Sequence, residues 1–271
     1  MRRPVLAVIG LLALTACGGE PPVSTSPTTT TVSSSVTTPP PAPTTTPPTT
    51  TVPPAKPAPV VVVDPGHNGA NAAHPAEINR QVPAGRGRWK ACNTTGTATD
   101  AGYPEHAFTW DVAVRVRDLL TAQGVRVVLT RPDDNGVGPC VDRRAAIGNE
   151  SGAAAVVSIH ADGATDPAAR GFHIAYSAPP LNEAQGEPAT RLATTMRDTF
   201  VAKGFTTSTY IGSAGLSPRD DLGGLNLSQR PAVLVECGNM RNAAEAATFS
   251  GQDGRASYAA AIAAGILAYL G

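Results

Sequence analysis

The chain has 271 residues and carries 21 Lys/Arg against 21 Asp/Glu. From Val60 onward the balance is 18 against 20 over 212 residues, without the basic excess that a nucleic-acid partner demands, so none is expected. Four cysteines with no Cys-x-x-Cys pair argue against a cysteine zinc site.

The first seventeen residues, MRRPVLAVIGLLALTAC, place two arginines before a ten-residue apolar run, Val5–Leu14. A bilayer span needs about 20 such residues, so the segment reads as an export signal and not as a membrane helix. Its end, Leu14-Thr15-Ala16-Cys17, resembles the lipobox of bacterial lipoproteins, in which the cysteine is lipid-modified and becomes the new N-terminus. Cys17 is therefore the expected lipidation site, and a plain signal peptide with a chance cysteine is the alternative. The implied location is the cell envelope or periplasm, lipid-anchored on the outer face of the cytoplasmic membrane. Residues 18–59 read as a tether. Between Pro21 and Pro54, 29 of 34 residues are Ser, Thr or Pro, with no aromatic and no charge. Such a stretch has nothing to bury against the entropy of ordering. In polyproline II it would reach on the order of 100 Å, and its hydroxyls could carry sugars.

Residues 60–271 suit a single domain. Val60–Val63 is a short apolar run ended by Pro-Gly, a buried strand. Residues 104–123 form the clearest helix, with Glu105 in its first turn, Phe108, Val112, Val116 and Leu119 at helical spacing, and Gly124 closing it. A strand follows at 125–131, then a helix from Val141 and a buried strand at 153–162 ending in a histidine. Residues 171–177 alternate as a further strand, 187–204 are helical, 231–238 are a strand and 252–270 are an alanine-rich helix. The stretch 70–102 is long, Gly-rich and without a periodic pattern. Nearly continuous apolar strands alternating with helices imply an α/β fold, a mostly parallel central sheet with helices on both faces. A monomer is expected. Cys92 and Cys140 lie in loop-like sequence, and an exported protein can oxidise them to a disulfide; two free thiols are the alternative. Cys237, in an apolar run, reads as a buried thiol.

In such sheets ligands bind outside the carboxyl ends of the strands. His67 follows the first strand, His160 ends the 153–162 strand, Glu236 ends the 231–236 run, and Glu105 opens the 104–123 helix at the same edge. Two imidazoles and one carboxylate suit zinc with a position left for water, so His67, Glu105 and His160 are the candidate ligands. Glu236 is the candidate general acid/base. Each residue has a plainer role open to it: His67 in a turn, Glu105 serving the helix dipole, Glu236 paired with Arg230 or Arg241. His74 competes for the place of His67, His106 should point about 100° away around the helix from Glu105, and His173 reads as structural. Arg143 or Arg144 could meet a substrate carboxylate, although packing roles compete for both.

The stretches VVVDPGHNG, YPEHAFTWDVAVRVRDLL, VVLTRPDD, DRRAAIGNESGAAAVVSIHADG and RPAVLVECGNMRN occur in this order. Together they resemble the zinc-dependent N-acetylmuramoyl-L-alanine amidases of the Amidase_3 type, most closely their mycobacterial members, over essentially all of 60–270. The resemblance implies a zinc held by His67, Glu105 and His160, Glu236 as catalytic acid/base, and peptidoglycan as the partner, cut between N-acetylmuramic acid and L-alanine. The family's Gly-Phe-containing tail after the last Glu is here Cys237-Gly238-Asn239-Met240-Arg241-Asn242. Three other readings stay open: a catalytically silent wall-binding or regulatory module, a zinc carboxypeptidase acting within the stem peptide, and a structural lipoprotein without metal.

Overall fold

The computed structural model describes residues 57–271 together with positions 30, 31, 33 and 35. Cys17 and nearly all of the 18–59 tether lie outside the described residues. Strand β1 (Val60–Pro65) has Val61, Val62 and Val63 with no exposed surface, the setting in which stiff β-branched side chains favour extended backbone. A short 3-10 turn (Asn71–Ala73), α1 (Pro75–Ile78) and a hairpin of β2 (Gln81–Pro83) and β3 (Trp89–Ala91) then occupy the stretch that has no periodic pattern. Helix α2 (Glu105–Thr121) buries Phe108, Val112, Val116 and Leu120, four residues apart along one stripe. Leu119, assigned to that stripe from sequence, is exposed instead; Leu120 takes its place, because spacing alone leaves the stripe uncertain by one residue.

Strand β4 (Arg126–Leu129), α3 (Val141–Glu150), β5 (Ala155–Asp162), β6 (His173–Ser177), α4 (Glu187–Ala202), β7 (Leu216–Arg219), α5 (Gly223–Asn226), β8 (Ala232–Asn239), α6 (Ala243–Ser250) and α7 (Gln252–Leu270) complete the order. The main sheet runs β4-β1-β5-β8-β6-β7. Its neighbours are parallel except β6 against β8, so it is mostly parallel, as expected. Val61, Val63, Val157, Ile159, Val233 and Val235 pack against α2, α4 and α7 in the larger core. The alternate residues Val62, Val156, Ala175 and Ala232 form a smaller cluster that includes Leu225 of α5, with α3 against α5 on this side. Helices thus cover both faces.

Beyond the 70–102 stretch, three further elements escaped the sequence reading for physical reasons. Strand β7 carries Pro218 and sits at the sheet edge, where a missing N–H is tolerated. Helices α5 and α6 are too short to show a period. Among the described residues no helix is long and apolar enough to cross a membrane.

Cys92 and Cys140 are joined, tying the end of the hairpin to the start of α3 across 48 residues of sequence, and Cys237 is free and buried. Closing a loop of that length removes unfolded-state entropy worth about 4 kcal/mol in the chain-entropy account. The Cys92→Ser/Cys140→Ser double variant should therefore melt well below the wild type. Reductant should lower the wild-type Tm and leave the variant's unchanged.

Candidate metal centre

The site grows out of the turn that ends β1. The Gly66 amide donates to Ile159 of β5 at 3.0 Å, and the chain then reverses through His67, whose φ of 59° is left-handed. A residue with a Cβ adopts that conformation only when its surroundings over-determine it. They do so here through two buried arginines. Arg144 donates to the carbonyls of Pro65 (2.6 Å) and His67 (2.8 Å), and Arg131 donates to Pro65 (3.0 Å). The Thr109 hydroxyl holds the Gly66 carbonyl at 2.8 Å. Arg144 is itself paired with Asp64 at 2.8 Å. Burial alone would push the Asp64 carboxyl up, but Arg144 and the hydroxyls of Ser158 and Thr130 outweigh it and hold the group down at about 2. Burial likewise lowers Arg131, to about 10 with Asp134 opposing, which leaves it charged at neutral pH.

His67, Glu105 and His160 converge, each offering one ligand atom, all within 4.8 Å of one another. His67 Nδ1 lies 3.1 Å from the Thr94 carbonyl, which only accepts, so Nδ1 carries a proton and Nε2 is the atom turned to the site. His67 Nε2 lies 3.1 Å from Glu105 Oε1, and His160 Nδ1 lies 3.0 Å from the same oxygen. Glu105 is held from behind by the amides of Thr97 (2.9 Å, to Oε2) and Ala161 (3.1 Å, to Oε1). Burial would raise its carboxyl, but the two imidazoles hold it well below the usual range. Two imidazole nitrogens this close to one carboxylate oxygen share a cation with it, a proton as hydrogen bonds or a metal ion where one is bound. The donor set and its backbone supports therefore fit a divalent metal. Two glycines make the room. A Cβ on Gly66 would lie 2.3 Å from the His160 ring, and one on Gly96 would lie 2.8 Å from Glu105 Oε2.

Glu236 stands beside His160 in register across β5 and β8. Its Oε2 is buried without a hydrogen-bond partner. Burial, then the charges of Glu105 and Asp162, push this carboxyl well above the carboxylate range, with Arg219 opposing. The four residues line a cavity of about 690 Å³ that also reaches Lys90, Leu222 and Arg241.

The competing histidines stay outside. His74 is exposed, 4.0 Å from Glu77, and His106 contacts Asp134 at 2.7 Å. Neither arginine partner considered for Glu236 forms an ion pair with it; Arg241 instead pairs with Asp100. Arg143 reaches Glu150, while Arg144 is committed to the turn. Arg131 was missed by the sequence reading, yet it lies just beyond β4 at the strand-end edge where the histidines were sought. His173, directly opposite Glu236 in the β6–β8 register, was legible only once strand order was known.

Residues 61–268 match the family of N-acetylmuramoyl-L-alanine amidases, Amidase_3. The chain belongs to that family. It is 51% identical over 212 residues to the N-acetylmuramoyl-L-alanine amidase Rv3717 of Mycobacterium tuberculosis, covering 78% of this chain and 86% of that one. The apo form of the N-acetylmuramyl-L-alanine amidase Ami1 of Mycobacterium abscessus is 55% identical, with a TM-score of 0.76 over 79% of this chain and 99% of that one. Ami1 of Mycobacterium smegmatis gives 54% and 0.77, with 80% and 99% covered. The Amidase_3 domain thus spans all that the sheet and the candidate metal centre comprise.

Two outcomes follow for this Amidase_3 site. Gly66→Ala should displace the His160 ring and lower bound metal, measured by elemental analysis, by about tenfold or more with an unchanged far-UV spectrum. Asp64 has a depressed pKa, so its contribution is present above about pH 4 and is lost as pH falls through about 2. The stability gap between wild type and Asp64→Asn, from denaturant titrations, should therefore shrink by about 2 kcal/mol from pH 5 to pH 2.

Proposed function

We propose that the chain is a peptidoglycan hydrolase that uses zinc held by His67, Glu105 and His160 to cut the amide between N-acetylmuramic acid and the L-alanine of the stem peptide. The observation that carries this reading is the pairing of an ionised Glu105 between two imidazoles with a neighbouring carboxyl, Glu236, driven the other way. Two nitrogens and one oxygen suit zinc among the common divalent ions. When bound, the metal supplies a Lewis acid for the substrate carbonyl and lowers the pKa of its water.

The protein side chains do the rest. Thr94 fixes the His67 tautomer, and Thr97 and Ala161 fix the Glu105 carboxylate, so the ligands need little rearrangement. Glu236, next to His160, accepts the proton of the attacking water and returns it to the nitrogen of the departing L-alanine. A carboxyl whose pKa is raised by burial is a stronger base than an ordinary one and holds the proton it takes until the leaving nitrogen needs it. The open cavity admits a muramoyl peptide to this edge.

Cys17 and the Ser/Thr/Pro tether belong to the same proposal. Acyl chains contribute roughly 0.8 kcal/mol per buried methylene, enough in combination to anchor the enzyme on the outer face of the cytoplasmic membrane. The tether would let it work on wall some distance away.

Digestion of purified peptidoglycan followed by mass spectrometry tests the reading. Intact stem peptides beginning at L-alanine should appear, chelator should abolish them, and added zinc should restore them. Glu236→Ala should slow release by about a thousandfold while keeping its zinc. Fragments shortened inside the stem peptide would point to a carboxypeptidase, and an unchanged rate in Glu236→Ala would remove that residue from the mechanism.

A further inference from the structure

Glu236 does not stand alone at the end of β8. In the β5–β8 register it faces His160, and in the antiparallel β8–β6 register it faces His173. The three side chains form a row across adjacent strands on one face of the sheet. The proposed zinc ligand stands on one side of the carboxyl, and on the other stands a histidine with no assigned role. Directly opposed strand residues have Cβ atoms about 4.5–5.5 Å apart, close enough for a carboxyl and an imidazole to meet.

Hydrogen-bond accounting includes the same pair among five unpartnered buried side-chain atoms of the described residues. Buried polar side-chain atoms are nearly always satisfied, and each exception asks for an explanation. Glu236 Oε2 and His173 Nδ1 are both buried and both unpartnered, and they belong to residues directly opposite one another. Charged and titratable neighbours are committed elsewhere. The Tyr210 hydroxyl donates to Asp162 Oδ2 at 3.2 Å, and Asp162 Oδ1 accepts from the Gly163 amide at 2.7 Å. Arg219 makes a two-pronged pair with Asp221 at 2.7 Å on each side. Glu105 is engaged by the two zinc-site imidazoles, and Cys237, next along β8, lies on the opposite face in the larger core. Beside one another across β8 and β6 there thus stand a buried carboxyl oxygen and a buried imidazole nitrogen that no protein group engages.

We infer that His173 is the positioning partner of Glu236: its ring donates to the carboxyl through one water molecule and keeps the other oxygen turned towards the scissile amide. The inference rests on the role given to Glu236 above. His173 is 1% exposed and packs its ring edge-to-face on Tyr210 at a centroid distance of 6.2 Å, so its orientation is set by packing. Burial, with Asp162 opposing and Arg219 adding, takes its basicity down to about 4. The ring is therefore neutral where a wall hydrolase works, with one N–H to give. His173 reaches the reacting atoms only through Glu236, which makes it a positioning residue and not a catalytic one.

The test uses the full-length chain and peptidoglycan, with three substitutions. His173→Phe keeps a ring against Tyr210 and removes both nitrogens. His173→Asn places an amide where Nδ1 was. Glu236→Gln removes the partner. His173→Phe is expected to lower kcat on the order of 10- to 100-fold, with KM within about twofold and zinc still near one per chain. His173→Asn should recover a substantial part of that loss. In the Glu236→Gln background, His173→Phe should cause no further loss, because both changes break one unit. Wild-type kcat in His173→Phe, or an equal fractional loss in both backgrounds, would overturn the inference. So would loss of zinc or of folding in both His173 variants, which would make the residue structural. Glu236→Gln working at the wild-type rate would overturn the reading of Glu236 itself, a result visible without any change at His173.

Discussion

The centre depends on two buried guanidinium groups closing over three consecutive carbonyls. Pro65, Gly66 and His67 turn their oxygens inward at the end of β1, where no strand or helix can take them. Arg144 and Arg131 satisfy them, with Thr109 assisting at Gly66. Left unpaired, each buried carbonyl would cost about 1–3 kcal/mol, and the left-handed φ at His67 would add its own strain. An arginine fits this task better than a lysine, because its planar fork reaches several acceptors at once. Its charge must be balanced in turn, and Asp64 does this from within β1 itself. One strand end thus supplies the ligand, the carbonyls and the counter-charge.

The same economy governs the carboxylates. Glu105 and Glu236 are both covered, and burial raises both. What separates them is their neighbours. Glu105 lies between two imidazoles and two backbone amides, all of which favour its charged form, whereas Glu236 faces the negative charge of Glu105 and Asp162 across the cavity edge. A carboxylate held ionised and a carboxyl held against ionisation are made from one residue type by placement alone. The proposed zinc would sharpen the division, since a cation at the ligand set further favours the charged form of Glu105.

The sheet was legible in the sequence wherever burial imposes a pattern. Val60–Val63, 153–162 and 231–238 are apolar because both faces are covered, and α2 and α7 are long enough to show their stripes. The strand-end rule then found His67, His160 and Glu236 without any knowledge of register. It did not find His173, because β6 runs against its neighbour, so the residue opposite Glu236 lies at its start and not its end. Nor did it find the arginine clamp, since an arginine satisfying carbonyls and one awaiting a substrate look alike in a string of letters. The 70–102 stretch was opaque for another reason: it folds through contacts with the rest of the domain, and its own elements are three or four residues long.

That stretch explains how a site at an open sheet edge acquires walls. The hairpin has little apolar surface of its own; Val82 and Cys92 cluster with Cys140, and Trp89 is 66% exposed. It is held at two separated places instead. At its base the Cys92–Cys140 link fixes it to α3, the helix that carries Arg144. At its tip Arg86 bonds Asn226 and Arg88 bonds Asp220, while Asn226 donates to the Ala84 carbonyl. Between these moorings Lys90 and Ala91 face the cavity, and just beyond the base Thr94 reaches the His67 ring and Gly96 leaves room for Glu105. A covalent tie is effective here because the segment cannot hold itself by packing, and the residues it positions touch two of the three proposed zinc ligands. The disulfide is consequently a support of the centre as well as of the fold, which ties the chemistry of this domain to an oxidising compartment.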